Sequence, residues 1–415
     1  MTSSKALQKW TIYVIIGIVS LSIITLVNFQ FSKSSPGGTD FLVHWMGTRN
    51  FFQTGTSPYS DETALKIQTM VYGRAVQAGE HELRVAYPLY SIIFFAPFAL
   101  IGDFNLARAI WMTLLEICLI GIVIVSFRMT YWKPKPVLFG LFIMFGLVSY
   151  NGVRPLINGN AVIVVTFLVL VSLLLMRDEK DEIAGILLAF STIKPQNVIL
   201  LVIFLLFWAI ANRRFKFIGY FLGTMLVLVG VSTLLIPDWF VQNLREVIRY
   251  PSYNPPGTVG AVLASWWGEV GSRFSYVITG VLAVLLGLEW WLGRRSSGNY
   301  FLWVACLTLV VSQWIGIQTD PGNFILLYPA LFFAIQLISK RWKRSSSSFI
   351  ISLLSIITVG IWILFLVTLQ KSYQPIQNSI LFFPLPLIVF ILLYWIRWWV
   401  VNSKQIDFSG KMFEI

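Results

Sequence analysis

The sequence has little charge and almost no cysteine. Of its 415 residues only 12% are charged, whereas 57% are hydrophobic and 16% are aromatic. This balance excludes a soluble globular protein, whose surface needs a larger charged share. The two cysteines, Cys118 and Cys306, both lie in apolar runs, where a thiol is usually a small buried hydrophobe. They therefore give no indication of the redox compartment.

The sequence also lacks a soluble domain, an internal repeat and any low-complexity tract beyond the serine run 345–348. Its net charge of +13 does not indicate a nucleic-acid partner, because the basic residues form short clusters between apolar runs. Such clusters are typical of the cytoplasmic loops of membrane proteins. We therefore treat residues 1–415 as a single integral membrane domain.

Apolar runs of about 20 residues can cross the hydrocarbon core of a bilayer. We expect the first run to be a retained anchor rather than a cleaved signal peptide, because it is long and lacks a small-residue cleavage site. The candidate helices are 10–31, 87–101, 106–127, 137–153, 161–176, 183–194, 197–211, 217–236, 274–293, 300–317, 324–339, 348–369 and 379–397. This pattern predicts an all-α polytopic membrane protein.

Basic clusters predict the orientation, since positively charged loops stay in the cytoplasm. The clusters are Arg128/Lys133/Lys135, Arg213/Arg214/Lys216, Arg294/Arg295 and Lys340/Arg341/Lys343/Arg344. With the N-terminus also inside, an even number of crossings must precede Arg128. The run 87–101 is short and holds Pro88 and Pro97, so we interpret it as a re-entrant or half-depth helix. This leaves about 12 transmembrane helices, with re-entrant or juxtamembrane helices on the outer side and both termini cytoplasmic.

This topology places the unusual polar residues on the outer side. The first outer loop is 32–86, and a second large outer loop, 237–272, is the candidate acceptor side. The other outer segments are 154–160, 194–196, 318–323 and 370–378. Because the cytoplasmic loops are short and generic, we expect the functional site on the outer face.

Asp40 and His44 stand four residues apart in the first outer loop, so a helix would place them on one side. A desolvated Asp at the membrane boundary can act as a general base. Asp40 also fits a helix N-cap, because Thr39 and Asp40 precede a helical pattern. His44 fits a hydrogen-bonding partner better than a ligand, and the pair offers too few ligands to indicate a metal site.

Three cations stand near the predicted outer membrane boundary. Lys194 ends a short apolar helix, where a lysine is costly unless it is paired; a lysine that snorkels to the interface is the alternative. Arg154 is not explained by turn chemistry, whereas the neighbouring asparagines are. Arg84 fits an interfacial arginine as well as a site residue.

A base beside several cations suits a lipid phosphate, because Lys and Arg stabilise the departing phosphate while the base activates an acceptor hydroxyl. Asp40 is therefore the candidate catalytic base, and Lys194, Arg154 and Arg84 are the candidate contacts of the donor phosphate. The candidate substrate contacts are His44, Tyr59, Tyr87, Asn158, Asn160, Gln196, Tyr253, Trp266, Asp320 and Asn323. For the aromatic members an interfacial belt is an alternative explanation.

Four segments carry a family resemblance. They are, in order, TDFLVHWMGTRNFFQTGTSPY, YPLYSIIFFAPF, NGNAVIVVTFLVLVSLLL and AGILLAFSTIKPQNVILLVIFLLFW. In their order and spacing these segments, within about residues 10–216, resemble glycosyltransferase family 87, the DUF2029 proteins of the GT-C membrane glycosyltransferases.

The resemblance implies a GT-C fold and a metal-independent, inverting transfer of a hexose, typically mannose, from a polyprenyl-phosphate donor. It also implies that Asp40 is the base and Lys194 a phosphate contact. Tyr87–Pro88 matches the family's Tyr-Pro element, with Leu89 in place of its second proline, and Asn160 stands where the family has glutamine. We expect no cofactor, a lipid or glycan acceptor, and a place in the bacterial plasma membrane.

Other functions use similar residues. A flippase or transporter of a lipid-linked sugar would need the same cations, but it should show polar residues through the bilayer and inverted repeats. A polymerase or ligase of lipid-linked glycans would still be a glycosyltransferase, with a larger outer loop. A non-catalytic scaffold would leave Lys194 and Arg154 unexplained.

Overall fold

The computed structural model describes residues 2–254, 257–315, 317, 319–342, 345–369 and 377–402. Within these residues the chain forms helices and no β-strand, so the predicted all-α class is confirmed. Some predicted features lie outside the described residues. These are Lys343 and Arg344 of the last basic cluster, and residues 255–256, 318 and 370–376 of the outer loops.

The described residues form seventeen α-helices. They are α1 (Thr2–Ser34), α2 (Thr39–Thr54), α3 (Asp61–Tyr72), α4 (Ile92–Ala99), α5 (Phe104–Met129), α6 (Pro136–Val148), α7 (Tyr150–Asn158), α8 (Val162–Arg177), α9 (Asp181–Ser191), α10 (Pro195–Ala211), α11 (Phe215–Leu235), α12 (Trp239–Arg249), α13 (Val259–Gly293), α14 (Gly298–Ile315), α15 (Tyr328–Trp342), α16 (Ser346–Thr368) and α17 (Pro384–Val401). Short 3-10 segments lie at Leu89–Ser91, Tyr250–Ser252, Pro321–Leu327 and Ser379–Phe382.

Eight of the described helical segments are long and apolar enough to cross a membrane. They are Gln8–Ser34, Phe104–Met129, Phe215–Leu235, Val259–Gly293, Gly298–Ile315, Pro321–Trp342, Ser346–Thr368 and Ser379–Val401. Helices α6 and α7 form one further candidate, bent by 47°. The protein is therefore an integral, polytopic membrane protein. About 12 crossings stays a prediction, because α8 and α10, with 16 and 17 residues, are shorter than a usual span.

The helices differ in how much of their apolar surface they bury. Most of α14 and of the segment Pro321–Trp342 is buried, whereas α1 and α11 expose most of their large apolar side chains. An apolar surface of this length fits lipid tails rather than water. The core therefore centres on α14 and α15, and α1 and α11 line the outside of the bundle.

The segment 87–101, predicted as a half-depth helix, contains only the eight-residue helix α4 and the 3-10 turn before it. Eight residues span about 12 Å, far less than a bilayer core. Side chains of residues 32–86 bind both ends. Trp45 donates a hydrogen bond to the carbonyl of Phe98 at 3.0 Å, and the Tyr59 hydroxyl donates to the carbonyl of Tyr87 at 2.7 Å. The segment therefore enters and leaves beside the same loop.

Two segments predicted as loops are partly helical. Helix α7 includes residues 154–158, and the loop 237–272 contains α12 and the start of α13, which bends at Gly268. The apolar-run criterion missed α12 because its apolar residues lie on one face, without a continuous run. It missed α7 because Gly and Pro inside the helix resemble turn signals.

Candidate active site

Helix α2 packs against the turn between α7 and α8. Gly159 in this turn has a φ of 69°, and a Cβ there would lie 2.5 Å from the Cβ of Phe41. Only glycine allows both the left-handed backbone and this close approach. The Trp111 indole donates to the Gly159 carbonyl at 2.8 Å and stacks on Phe41, with ring centroids 5.6 Å apart. This packing brings the first turn of α2 to Asn160.

Buried Arg108, near the start of α5, fixes the chain that leads into α2. Its guanidinium donates to the carbonyls of Ser35 at 3.1 Å and Ile157 at 3.0 Å, at the C-terminal ends of α1 and α7. Such carbonyls have no partner within their own helix and favour a cation. A Cβ on Gly38 would lie 2.5 Å from Arg108 Nε, so the chain passes directly over the guanidinium. The sequence analysis did not single out this residue.

Asp40 lies in the first turn of α2, and its half-buried carboxylate meets Asn160. Asn160 Nδ2 donates to Asp40 Oδ2 at 2.9 Å. Gly38, with a φ of 77°, occupies the N-cap position. The alternative interpretation of Asp40 as an N-cap is therefore wrong, although a negative charge in a first turn still favours the helix.

Lys194 lies in the turn between α9 and α10 and is only 3% exposed. Its Nζ donates to Asn160 Oδ1 at 2.6 Å and to Asn323 Oδ1 at 2.5 Å. A snorkelling lysine would reach water, so that alternative is wrong. One amide, that of Asn160, thus joins the carboxylate of Asp40 to the ammonium of Lys194.

Burial shifts the titration of both charged groups. Burial raises the pKa of Asp40 above its ordinary value, and the charge of Lys194 opposes this rise. The charge of Asp320 also raises the pKa of Asp40, whereas the charge of Arg154 and the hydrogen bond from Asn160 lower it. Burial lowers the pKa of Lys194 to about 8, against the charges of Asp40 and Asp320. The site therefore holds a carboxylate of increased basicity close to a cation that is still mostly protonated at neutral pH.

A buried polar network orients Asn323. Asn323 Nδ2 donates to Thr319 Oγ1 at 2.8 Å, and Asn197 Nδ2 lies 3.4 Å from the same oxygen and 3.3 Å from Gln313 Oε1. The first contact holds the amide nitrogen of Asn323 within the protein, and the contacts of Asn197 support its partner Thr319. The side-chain carbonyl oxygen of Asn323 is consequently turned toward Lys194.

Arg154 and Asp320 form a loose ion pair, with 3.7 Å between Nε and Oδ1. Asp320 also accepts hydrogen bonds from the Gly322 amide at 2.6 Å and from Gln377 Nε2 at 2.9 Å. Arg154 Nε is buried and has no hydrogen-bond partner among the described residues. The backbone carbonyl of Asp320 accepts from the backbone amide of Asn323 at 2.8 Å, so this unused donor lies near the partner of Lys194.

His44 lies one turn after Asp40 in α2 and is 7% exposed. Its ring packs on Tyr87 and Phe95, with centroids 3.9 and 4.8 Å apart. Burial, together with the charge of Lys194, lowers the pKa of His44 to about 3, so the ring is neutral at ordinary pH. Lys194 Nζ lies 5.6 Å from the Tyr87 ring, which joins these aromatic residues to the cation.

Arg84, predicted as a phosphate contact, belongs to a different cluster. It pairs with Asp61, with Glu82 at 3.1 Å and with Glu246 at 3.4 Å, and Arg249 binds Glu82 at 2.7 Å. Its charge is thus balanced within the protein. The structure does not bring Arg84 to the base, and we do not propose it as a phosphate contact.

Four predicted substrate contacts hold other positions. Tyr59 is buried and supports the backbone before α4, so it positions the chain. Trp266 donates to Ser379 Oγ at 2.9 Å, and none of its described contacts reaches the base or the cation. Asn158 is the last residue of α7 and Gln196 lies in the first turn of α10; both are half-buried.

Two residues near the base were missed by the sequence analysis, His81 and Tyr250. His81 Nε2 lies 3.1 Å from Asn254 Oδ1, and its ring packs on Tyr253, which packs on Tyr250. Burial lowers the pKa of His81 and raises that of Tyr250, and in each case the charge of Asp40 acts on the group. His81 stands in no motif or apolar run that would have revealed it, whereas Tyr250 lies in the loop 237–272, the predicted acceptor side.

The residues that meet at the site suit an anionic ligand better than a metal. Among the described residues, no group of three or more His, Cys, Asp and Glu side chains could hold a metal ion. A carboxylate, neutral amides and two cations remain, which can bind a phosphate and a hydroxyl together. The absence of a required metal or cofactor stays a prediction.

Comparison with known proteins gives one match. The model of glycosyltransferase family 87 matches residues 86–313, more than half of the chain. The matched region includes Asn160 and Lys194, and the structure adds Asp40 and Asn323 from outside it. No curated protein and no solved structure matches the chain.

We predict that Gly159→Ala destabilises the fold and displaces α2. The left-handed backbone costs about 1 kcal/mol for alanine, and the overlap with Phe41 adds roughly 1–3 kcal/mol. Gly55→Ala is the matched control, because Gly55 has a φ of 70° and open space around its Cβ position. Thermal unfolding in detergent should show a clearly larger drop in Tm for Gly159→Ala. Equal drops would contradict the packing argument.

Proposed function

The chain belongs to glycosyltransferase family 87, and from this membership we propose that it transfers a hexose, with mannose expected, from a polyprenyl-phosphate donor to an acceptor hydroxyl. The acceptor is a lipid or glycan at the outer face of the bacterial plasma membrane. That the protein is a glycosyltransferase follows from the family; the donor, sugar, acceptor and face are our proposal. The observation that supports it best is the bridge from Asp40 through Asn160 to Lys194.

In this mechanism Asp40 is the general base. Its carboxylate takes the proton of the acceptor hydroxyl as the acceptor oxygen attacks C1 of the donor sugar. The bond from C1 to the phosphate oxygen breaks, and its electron pair leaves with the lipid phosphate. A single in-line displacement inverts the configuration at C1.

Lys194 stabilises the departing phosphate. In the structure its Nζ donates to two neutral amide oxygens, of Asn160 and Asn323. A phosphate oxygen accepts a stronger, charge-assisted hydrogen bond than an amide oxygen does, so the donor can replace one of these partners. The unused Nε of Arg154 offers a further donor. Both cations act most strongly where negative charge develops in the transition state.

The charge distribution supports the proposed orientation. The basic clusters of the sequence belong to loops that the positive-inside rule assigns to the cytoplasm, with both termini. The residues of the amide bridge belong to loops on the other side of that topology. A donor lipid would then reach Lys194 from the bilayer, and a polar acceptor would reach Asp40 from the outside.

We predict that Asp40→Asn lowers transfer about 10²- to 10⁴-fold, the usual contribution of a general base. Asparagine keeps the size of the side chain but accepts no proton. The assay is transfer of radiolabelled mannose from synthetic polyprenyl-phosphate-mannose to membrane acceptors by purified protein in lipid nanodiscs, with and without chelator.

Asp103→Asn is the matched control. Asp103 caps α5 through the Asn105 and Leu106 amides, and asparagine caps a helix equally well. It should keep wild-type activity. Full activity in Asp40→Asn would remove Asp40 from the mechanism. The alternative function of the wild type is that of a carrier of the lipid-linked sugar. Binding of the mannose or glucose donor without any transfer would favour that function.

We also predict a bell-shaped dependence of kcat/KM on pH. Activity should rise as Asp40 loses its proton, through a pKa raised by burial, and fall as Lys194 loses its charge near its pKa of about 8. In Lys194→Arg the residual activity should no longer fall at alkaline pH (the alkaline limb of the profile), because arginine stays charged. An unchanged alkaline limb in that variant would assign it to another group.

A further inference from the structure

The outer loops form a second group of polar side chains beside the proposed catalytic site. Tyr253 lies after α12, where its ring packs on His81 at 5.0 Å and on Tyr250 at 5.6 Å. Both neighbours are exposed to the charge of Asp40. The group thus lies within electrostatic range of the base, and Arg84, three residues after His81, joins it to Glu246.

Two buried polar atoms in this group lack a partner. Neither the hydroxyl of Tyr253 nor Oε2 of Glu246 makes a hydrogen bond with any described part of the chain. A buried polar atom without a partner costs about 1–3 kcal/mol. Glu246 binds Arg84 at 3.4 Å, and Arg84 lies three residues after His81, on which Tyr253 packs, so the two atoms belong to one neighbourhood. One can donate a hydrogen bond and the other can accept one.

We propose that Tyr253 and Glu246, with His81 beside them, form a subsite that binds a hydroxyl group of a polyhydroxylated acceptor. A ligand hydroxyl can accept from the Tyr253 hydroxyl and donate to Glu246 Oε2, which satisfies both atoms at once. The rings of His81 and Tyr250 offer apolar faces for a sugar ring. This inference rests on the proposed function, since it assigns the acceptor of that reaction.

The charges assign this subsite to the acceptor rather than to the donor. The guanidinium of Arg84 is already held by three carboxylates and leaves no free cation for a phosphate, whereas the free oxygen of Glu246 can accept a charge-assisted hydrogen bond from a neutral hydroxyl. The phosphate contacts, Lys194 and Arg154, belong to the other group of residues around Asp40. In an apolar alcohol the single hydroxyl group is the one that attacks C1 of the donor sugar. Such an acceptor has no second hydroxyl group for the subsite and leaves it empty.

The test uses purified protein in nanodiscs with polyprenyl-phosphate-mannose and two acceptor probes, octyl mannoside and dodecanol. Tyr253→Phe removes only the unpartnered hydroxyl. It should raise the KM for octyl mannoside roughly three- to tenfold, the factor for one hydrogen bond. The KM for the donor should stay unchanged, and Tm should stay equal or rise, because the change removes a buried unpaired group.

Tyr394→Phe is the matched control. The Tyr394 hydroxyl is also buried without a partner among the described residues, but its ring packs on Trp303 and Phe390 in the helical core. It should leave both KM values unchanged. The same variants with dodecanol as acceptor should differ little from the wild type, whose transfer to dodecanol should be weak.

The possible results separate the subsite from the reaction. The first result is that the wild type transfers to octyl mannoside and Tyr253→Phe has the same KM for this acceptor. The Tyr253 hydroxyl would then bind water rather than the acceptor, and the subsite would be overturned. A rise in donor KM alone, or equal transfer to dodecanol, would also overturn it. If the wild type transfers to no acceptor at all, the proposed function fails, and the subsite fails with it.

Discussion

The site depends on one amide. Asn160 holds the carboxylate of Asp40 at one end and the ammonium of Lys194 at the other. Direct contact between these charges would form a salt bridge and use both groups. The amide gives each charge a hydrogen bond and keeps them apart, so the carboxylate retains its basicity and the ammonium remains available. Burial then raises the pKa of Asp40, as a general base needs, whereas it lowers the pKa of Lys194 only to about 8, so the ammonium stays mostly charged at neutral pH.

Much of the surrounding structure holds the three residues of this bridge in place. Gly159 lets α2 approach closely enough for Asp40 to reach the amide. Arg108 joins the ends of α1 and α7 to the start of α2. On the other side Asn323 fixes the ammonium, and its own amide is bound by the network behind it. The site is thus assembled from helix ends and the turns between helices, and the buried helices supply its rigidity.

The sequence predicted the features that stand out by hydrophobicity or charge, namely the apolar helices and the charged residues within apolar segments. Long apolar runs revealed the helices, and Lys194 stood out because a charge there needs a partner. It could not predict what depends on distant partners: Arg84 looked available because its carboxylates, Asp61 and Glu246, come from separate segments. Amphipathic α12 has no apolar run, and His81 has no pattern around it. Asp40 resembled an N-cap because the N-cap position and the first helical turn lie next to each other in the sequence, and the helix start cannot be placed that finely from sequence.

The central claim is that Asp40 and Lys194 serve one donor, the first at the sugar and the second at the phosphate. The most direct test is a structure of the protein with an unreactive phosphonate analogue of the polyprenyl-phosphate sugar. The account predicts a phosphonate oxygen within hydrogen-bond distance of Lys194 Nζ, in place of an amide oxygen, with C1 of the sugar facing Asp40. A phosphonate bound elsewhere, with Lys194 still held by Asn160 and Asn323, would contradict it.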